Sequence, residues 1–212
     1  MAVQWTFREP LSRDDLEQRL KDRFPDLGTH VEHEELTLFV PPERIREVLA
    51  HCRDDDELDF DLLADLSGVH WPGGEHVTEA QISTTGWPPH RLVRDRGTIE
   101  VTYHLLSTHR THRLRIVVAV HDTDPVVPSV VELHPTANFH EREVFDFFGV
   151  LFQDHPNLIR ILMPDEWIGH PLRKDYPLGG VDTDYHGAYI PPPDERLWSR
   201  EVPHAGGEKA GK

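Results

Sequence analysis

With one cysteine in 212 residues, Cys52, the chain has no intrachain disulfide and no CxxC zinc knuckle. A self-sufficient iron–sulfur site is excluded too, because such clusters normally take about four thiolates. Positive charge is also scarce: 22 Lys and Arg stand against 38 Asp and Glu, a formal net charge of −16. That balance argues against a partner recognised through its phosphate backbone, so nucleic acid is not expected. Long apolar runs are missing as well, none approaching the roughly 20 residues that span a bilayer. The first residues (MAVQWTFREPLSRDD) lack the basic start and apolar stretch of a signal peptide, so the expectation is a soluble, cytoplasmic chain. No Gly-rich dinucleotide fingerprint occurs. Histidine is abundant, at 16 residues, but it is scattered without ligand spacing. A stand-alone histidine-rich metal-binding protein is therefore kept only as an alternative.

The length suits one core domain with an appendage. Ser12–Phe24 opens with a capping serine and early acids and repeats Leu16, Leu20 and Phe24 every four residues, the pattern of an amphipathic helix. Glu35–Val40 (ELTLFV) reads as a strand, and Pro41-Pro42 starts a second helix through Ile45, Val48 and Leu49, with Cys52 half-buried on it. This begins a β-α-β arrangement. The acidic run Asp54–Asp61 reads as a solvated helix entry, since it has neither the ligand pattern nor the glycine of a calcium loop. Trp71–Gly97 reads as a long loop or hairpin insertion. Thr98–Ser107 and Arg113–His121 alternate or run apolar and predict neighbouring strands in mid-sheet. Pro125–Leu133 predicts an edge or irregular segment. The expected fold class is α+β: a two-layer domain with a mixed, mainly antiparallel sheet packed against helices, plus an extended C-terminal tail. Its expected parts are a core at 1–150, a partner-facing segment at 151–180 and an extended strap at 181–212 whose last ~10 residues are disordered.

Asn138–Phe148 (NFHEREVFDFF) predicts a helix capped by Asn138, with Glu141 completing a capping box and Gly149 ending it. Val144, Phe145, Phe147 and Phe148 share its apolar face, and Glu141 falls near the middle of that face. A carboxylate there needs the capping box or a cation, for which Arg160, Arg173 and Lys174 are the candidates. Arg142 and Asp146 are four apart and read as a surface pair worth ~0.2–0.5 kcal/mol. His140-Glu141 is no zinc-protease motif, because the second histidine would have to be Val144. A glycosidase pair is also disfavoured, since Glu143 and Asp146 point away from Glu141. Downstream, Arg160 is embedded in the apolar run Leu158–Met163 and must find a carboxylate. Trp167–Tyr176 joins a Gly-His-Pro turn to Arg173, Lys174 and Asp175 between aromatics, a mix typical of an interface anchor.

The run EREVFDFFGVLFQDHPNLIRILMPDEWIGHPLRKDYPL, Glu141–Leu178, resembles the signature of the C-type subunits of NADH-quinone oxidoreductase, the 30-kDa family of the peripheral arm of respiratory complex I. Tyr103–Val120 and Phe60–Trp71 resemble the family's central strands and the segment before them. A departure is Ile159, where the family usually has the first of two arginines, so that charged contact does not carry over. The resemblance implies a chain without flavin, iron–sulfur cluster or quinone ligand of its own. FMN, the clusters and quinone would be held by other subunits of a proton-translocating complex. It implies no catalytic, cofactor-binding or metal residues here. It implies instead a structural, partner-facing role for Glu141, Arg142, Glu143, Asp146, His155, Arg160, His170, Arg173, Lys174, Asp175 and Tyr176. The D-type subunit would be the chief partner, with the B-type and I-type subunits nearby, on the cytoplasmic side of the cell membrane. The equivalent subunit of a related membrane-bound hydrogenase or other donor-dependent dehydrogenase complex is the close alternative.

Overall fold

A computed structural model describes residues 7–73 and 97–177. The tail from 178 onward and most of the 71–97 insertion lie outside the described residues. Helix α1 (Arg13–Arg23) begins where expected, the Asp15 N–H donating to Ser12 Oγ, and it buries Leu16 and Leu20. Two short strands follow, β1 (Thr29–Glu32) and β2 (Glu35–Phe39). Pro42–Arg44 form one 3₁₀ turn that leads into α2 (Ile45–Asp54). Helix α2 buries Ile45, Val48, Leu49 and Cys52 on one face, and burial pushes the Cys52 thiol up to about 12. The cysteine is thus wholly rather than half buried.

The acidic stretch after α2 is a helix exit, which corrects the expected helix entry. Asp55 Oδ1 accepts the N–H groups of Glu57 and Leu58, and Asp61 accepts from the Thr108 N–H and hydroxyl. Short acidic side chains favour such local backbone bonds over helix continuation. The chain then enters β3 (Leu62–Trp71), which is extended where the entry reading put a helix.

Strands β4 (Thr98–Leu106) and β5 (Arg113–His121) pair antiparallel along their whole length. The sheet order is β1-β2-β5-β4-β3, with β2–β5 parallel and the other pairings antiparallel. This is the expected mixed, mainly antiparallel sheet. Strands β2 and β3, which flank α2 in the chain, are separated in the sheet by β5 and β4, so the β-α-β reading does not describe adjacent strands. The inner face, with Leu38, Ile99, Val101, Tyr103, Leu114, Ile116 and Val118, is buried against the helices.

Helix α3 (Ala137–Phe148) packs on β3, burying Ala137, Glu141, Val144 and Phe148. The approach is close: a Cβ on Gly68 of β3 would lie 2.7 Å from the Phe148 ring, so only glycine fits beneath it. Strands β6 (Val126–Pro128) and β7 (Leu151–Gln153) flank α3 in sequence and form a separate parallel pair. They bring the segments before and after the helix together, so that its two ends become addressable by neighbouring loops.

Candidate functional site

The N-terminus of α3 departs from the expected capping box. Thr136, not Asn138, occupies the cap position and makes no side-chain cap bond. Glu141 instead turns inward, where Ser129 Oγ donates to its Oε2 and the Val130 N–H to its Oε1, each at 2.7 Å. None of Arg160, Arg173 and Lys174 pairs with it. His155 lies beside it, with Nε2 3.9 Å from Oε2, and both side chains are fully buried. Burial pushes the Glu141 carboxyl up to about 7, against the pull of its two donors. Burial also holds His155 below the usual histidine range. His155 donates from Nε2 to the Asn138 carbonyl and accepts the Asn157 N–H at Nδ1, so it ties the post-helix turn back to the helix start.

The C-terminus of α3 organises most of the remaining residues. A helix leaves its last carbonyls without intrahelical donors and its end partially negative. Gly149, at φ +78°, takes the left-handed turn that ends the helix and donates to the Phe145 carbonyl. The next carbonyl, of Asp146, accepts from Arg160 and from His170 Nδ1, and that of Phe147 accepts the Leu172 N–H. Residues 160–172 therefore act as an extended cap. His170 has its ring seated against Gly149, where a Cβ would lie 2.6 Å from it, and packs edge-on against Phe145.

The Asp146 side chain is fully buried, which corrects its reading as half of a surface pair. Arg160 donates to its Oδ1 at 2.6 Å, and the consecutive N–H groups of Ile161, Leu162 and Met163 converge on its Oδ2 at 3.1, 2.8 and 2.9 Å. Burial alone would disfavour the charge, but these donors outweigh it and hold the carboxyl below the ordinary aspartate range. Arg160 spends its other NH₂ group on the carbonyls of Trp167 and Gly169. Arg142, the expected partner of Asp146, instead donates to the carbonyls of Ile159 and Arg160. The embedded arginine does find a carboxylate, on the helix four residues beyond Arg142.

A second anchor is not signalled by the sequence motifs. His70 on β3 has a fully buried side chain whose Nδ1 accepts the Lys174 N–H at 2.8 Å. Its proton then sits on Nε2, which donates to Asp122 Oδ2 at 3.3 Å. Arg173 donates to the Asp122 carbonyl and forks onto Asp175, whose carboxyl it holds below the usual range. Lys174 is thereby held through its backbone, and its side chain is free to face outward. Tyr176 donates to the Ile168 carbonyl at 3.3 Å. Glu143 is exposed and joins none of these groups.

Four of the described histidines serve as staples of this kind. His70, His112, His155 and His170 each bind backbone groups of distant segments, His112 through Leu58 and Leu11. A neutral imidazole donates on one side and accepts on the other, which suits it to stapling loops. Among the described residues no three His, Cys, Asp or Glu side chains are grouped as a metal ion would require. No helix among them is long and apolar enough to cross a membrane.

Residues 38–182 match the family described as respiratory-chain NADH dehydrogenase, 30 Kd subunit. The C-type subunit of the NADH-quinone oxidoreductase of Acidothermus cellulolyticus is 49% identical over 178 residues, covering 82% of this chain and 81% of the relative. That of Mycolicibacterium gilvum is 46% identical over 166 residues, covering 78% of this chain but 65% of a longer relative. A solved structure of the trypsin-resistant fragment (1-134) of Nqo5 superposes with a TM-score of 0.51 at 31% identity, covering 68% of this chain and 98% of that fragment. A matched span that contains the whole α3 helix, its extended cap and the central strands places the chain in the 30 kDa subunit family of respiratory-chain NADH dehydrogenase.

Proposed function

We propose that the chain is a non-catalytic, cofactor-free subunit of a proton-translocating NADH:quinone oxidoreductase, held on the cytoplasmic side of the cell membrane through its partners. Its task is to brace the subunit that forms the quinone site, with this D-type subunit as chief contact and the B-type and I-type subunits close by. FMN, iron–sulfur clusters and quinone reside in other chains of the complex. The names of the relatives support the assembly. The single observation that carries the scaffolding reading is the use made of the signature's charged groups. Asp146, Arg160, His170 and Arg173 are spent on backbone groups and on each other, fixing the loop after α3 instead of converging on an open space where a substrate could react.

Purification of the tagged chain from mild detergent extracts of its own membranes tests this. The expected result is co-purification with the other subunits of an NADH-oxidising complex, and recovery of a lone monomer overturns the reading. Replacing Arg173 by Ala should lower the yield of assembled complex while each complex that forms keeps its full flavin and iron content. Loss of clusters from an otherwise complete assembly would contradict the cofactor-free role.

A further inference from the structure

The extended cap has an unusual outer surface. Ile159, Leu162 and Ile168 are 51%, 59% and 88% exposed, and Ile161 lies beside them in the chain at 36%. Exposed aliphatic side chains grouped in one segment mark an interaction surface, and this segment is fixed from beneath. Asp146 holds the N–H groups of Ile161, Leu162 and Met163, and Arg160 grips the carbonyls on either side of Ile168. One buried ion pair therefore sets both aliphatic segments. A preorganised apolar surface loses little entropy on docking, which is the condition for an energetic hot spot.

The exposed charges next to these aliphatic residues in the chain are acidic, Asp165 and Glu166. Between Asp154 and Ile168 the chain carries the exposed Asp165 and Glu166, Asp154 paired at 4.0 Å with Arg46, and a single Lys or Arg, Arg160, whose side chain is largely buried in the clamp. Arg142 is likewise turned onto carbonyls, and the exposed Lys174 belongs to the turn tied to His70. The chain as a whole carries −16. An acidic rim repels an anionic lipid surface and repels a second copy of the same face. It attracts a protein surface whose apolar centre is bordered by Lys and Arg.

We infer that Ile161, Leu162 and Ile168, presented by the Asp146–Arg160 clamp, form the central docking contact for a partner subunit whose matching surface is apolar and rimmed by basic residues. The inference rests on the assembly reading above and adds the place and chemistry of the contact. The test uses the full chain in its native membranes. A photoreactive amino acid is incorporated in place of Ile168 during synthesis, so that the probe is in position before the complex assembles. The crosslinked partner peptide is expected to contain aliphatic residues with Lys or Arg adjoining. A peptide rich in Asp and Glu, a lipid adduct or a crosslink between two copies of this chain overturns the inference.

In parallel, Leu162→Asp with Ile168→Asp should reduce co-purified subunits by about tenfold or more, as expected for losing hot-spot contacts. Both positions are exposed, so thermal unfolding of the isolated variant should match the wild type. The milder pair Leu162→Ala with Ile168→Ala should give an intermediate loss. Asp165→Lys with Glu166→Lys should also weaken recovery, and raised salt should shrink the gap between that variant and the wild type. Wild-type assembly with undiminished recovery of the aspartate variant refutes the docking site alone. Failure of the wild-type chain to co-purify refutes the assembly reading itself.

Discussion

Glu141→Gln should remove a specific pH dependence from the stability of the chain. The carboxyl is fully buried, accepts two hydrogen bonds and is pushed up to about 7 by burial, against an ordinary value of 4.5. Between those values the folded chain keeps a proton that the unfolded chain has lost, so folding takes up a proton there. Stability contributed by this group is complete below pH 4.5, declines as pH rises and is lost once pH passes about 7. At about 1.36 kcal/mol for each tenfold difference in proton affinity, the wild type gives up on the order of 3 kcal/mol across that window. Burial holds His155 below the usual histidine range, which weakens it as a countercharge to Glu141.

Glutamine keeps a carbonyl that can accept from Val130 or Ser129, and its amide never ionises. Other groups titrate in the same window, so the informative quantity is the difference between the two proteins. Urea or thermal unfolding of both, from about pH 4.5 to about pH 8.5, measures it. At the acid end the variant should be the less stable by about 1 kcal/mol for one imperfectly replaced hydrogen bond. Near about pH 8 it should be the more stable by about 2 kcal/mol, which at this chain length moves the midpoint by about 4–8 °C. A difference that stays flat with pH, or that shifts toward the wild type as pH rises, refutes the reasoning.

Arg160→Ala takes the counter-charge from the buried Asp146, leaving it only its backbone donors, and frees the Trp167 and Gly169 carbonyls, so it should cost about 3 kcal/mol. Hydrogen exchange should show the loss concentrated at the amides of Ile161, Leu162 and Met163, and unchanged exchange there would contradict the clamp. His70→Ala removes the acceptor of the Lys174 N–H and the donor to Asp122, a loss of about 1–3 kcal/mol. It should speed tryptic cleavage after Arg173 and Lys174 while leaving the β4 and β5 amides protected, and cleavage at the wild-type rate would show that His70 does not hold this turn.

The fold class is legible because most of the sheet obeys local rules. On β4 and β5 the alternating residues face the core from one side, and α1 and α2 bury the residues that recur at helical spacing. Strand β1 is hidden for a physical reason. All four of its residues are half-buried, and it turns into β2 through His33 and Glu34, both at positive φ, with no Asn-Gly to announce the hairpin. The partner-facing reading of the signature rests on family resemblance, but the internal wiring beneath it is partly readable. An arginine inside an apolar run demands a carboxylate, and Asp146 supplies it. What misleads is the assumption that a helix has one buried face. Asp146 lies off the face that α3 turns to β3, and the returning loop, not the sheet, covers it.

His70 is hidden by a register shift that the residues do encode. Strand β3 has a bulge between Leu63 and Asp65, so Leu63 and Leu66, three apart, both reach the core. A strict alternation counted from Leu63 then puts His70 outside. Counted from Leu66 it puts Gly68 and His70 inside, where Gly68 makes room for Phe148 and His70 meets the Lys174 backbone. Two leucines spaced by three in a strand-like segment are the mark of that shift. A buried-phase histidine two residues beyond a buried-phase glycine then asks for polar partners from another segment, which here come from Asp122 and from the turn at Lys174.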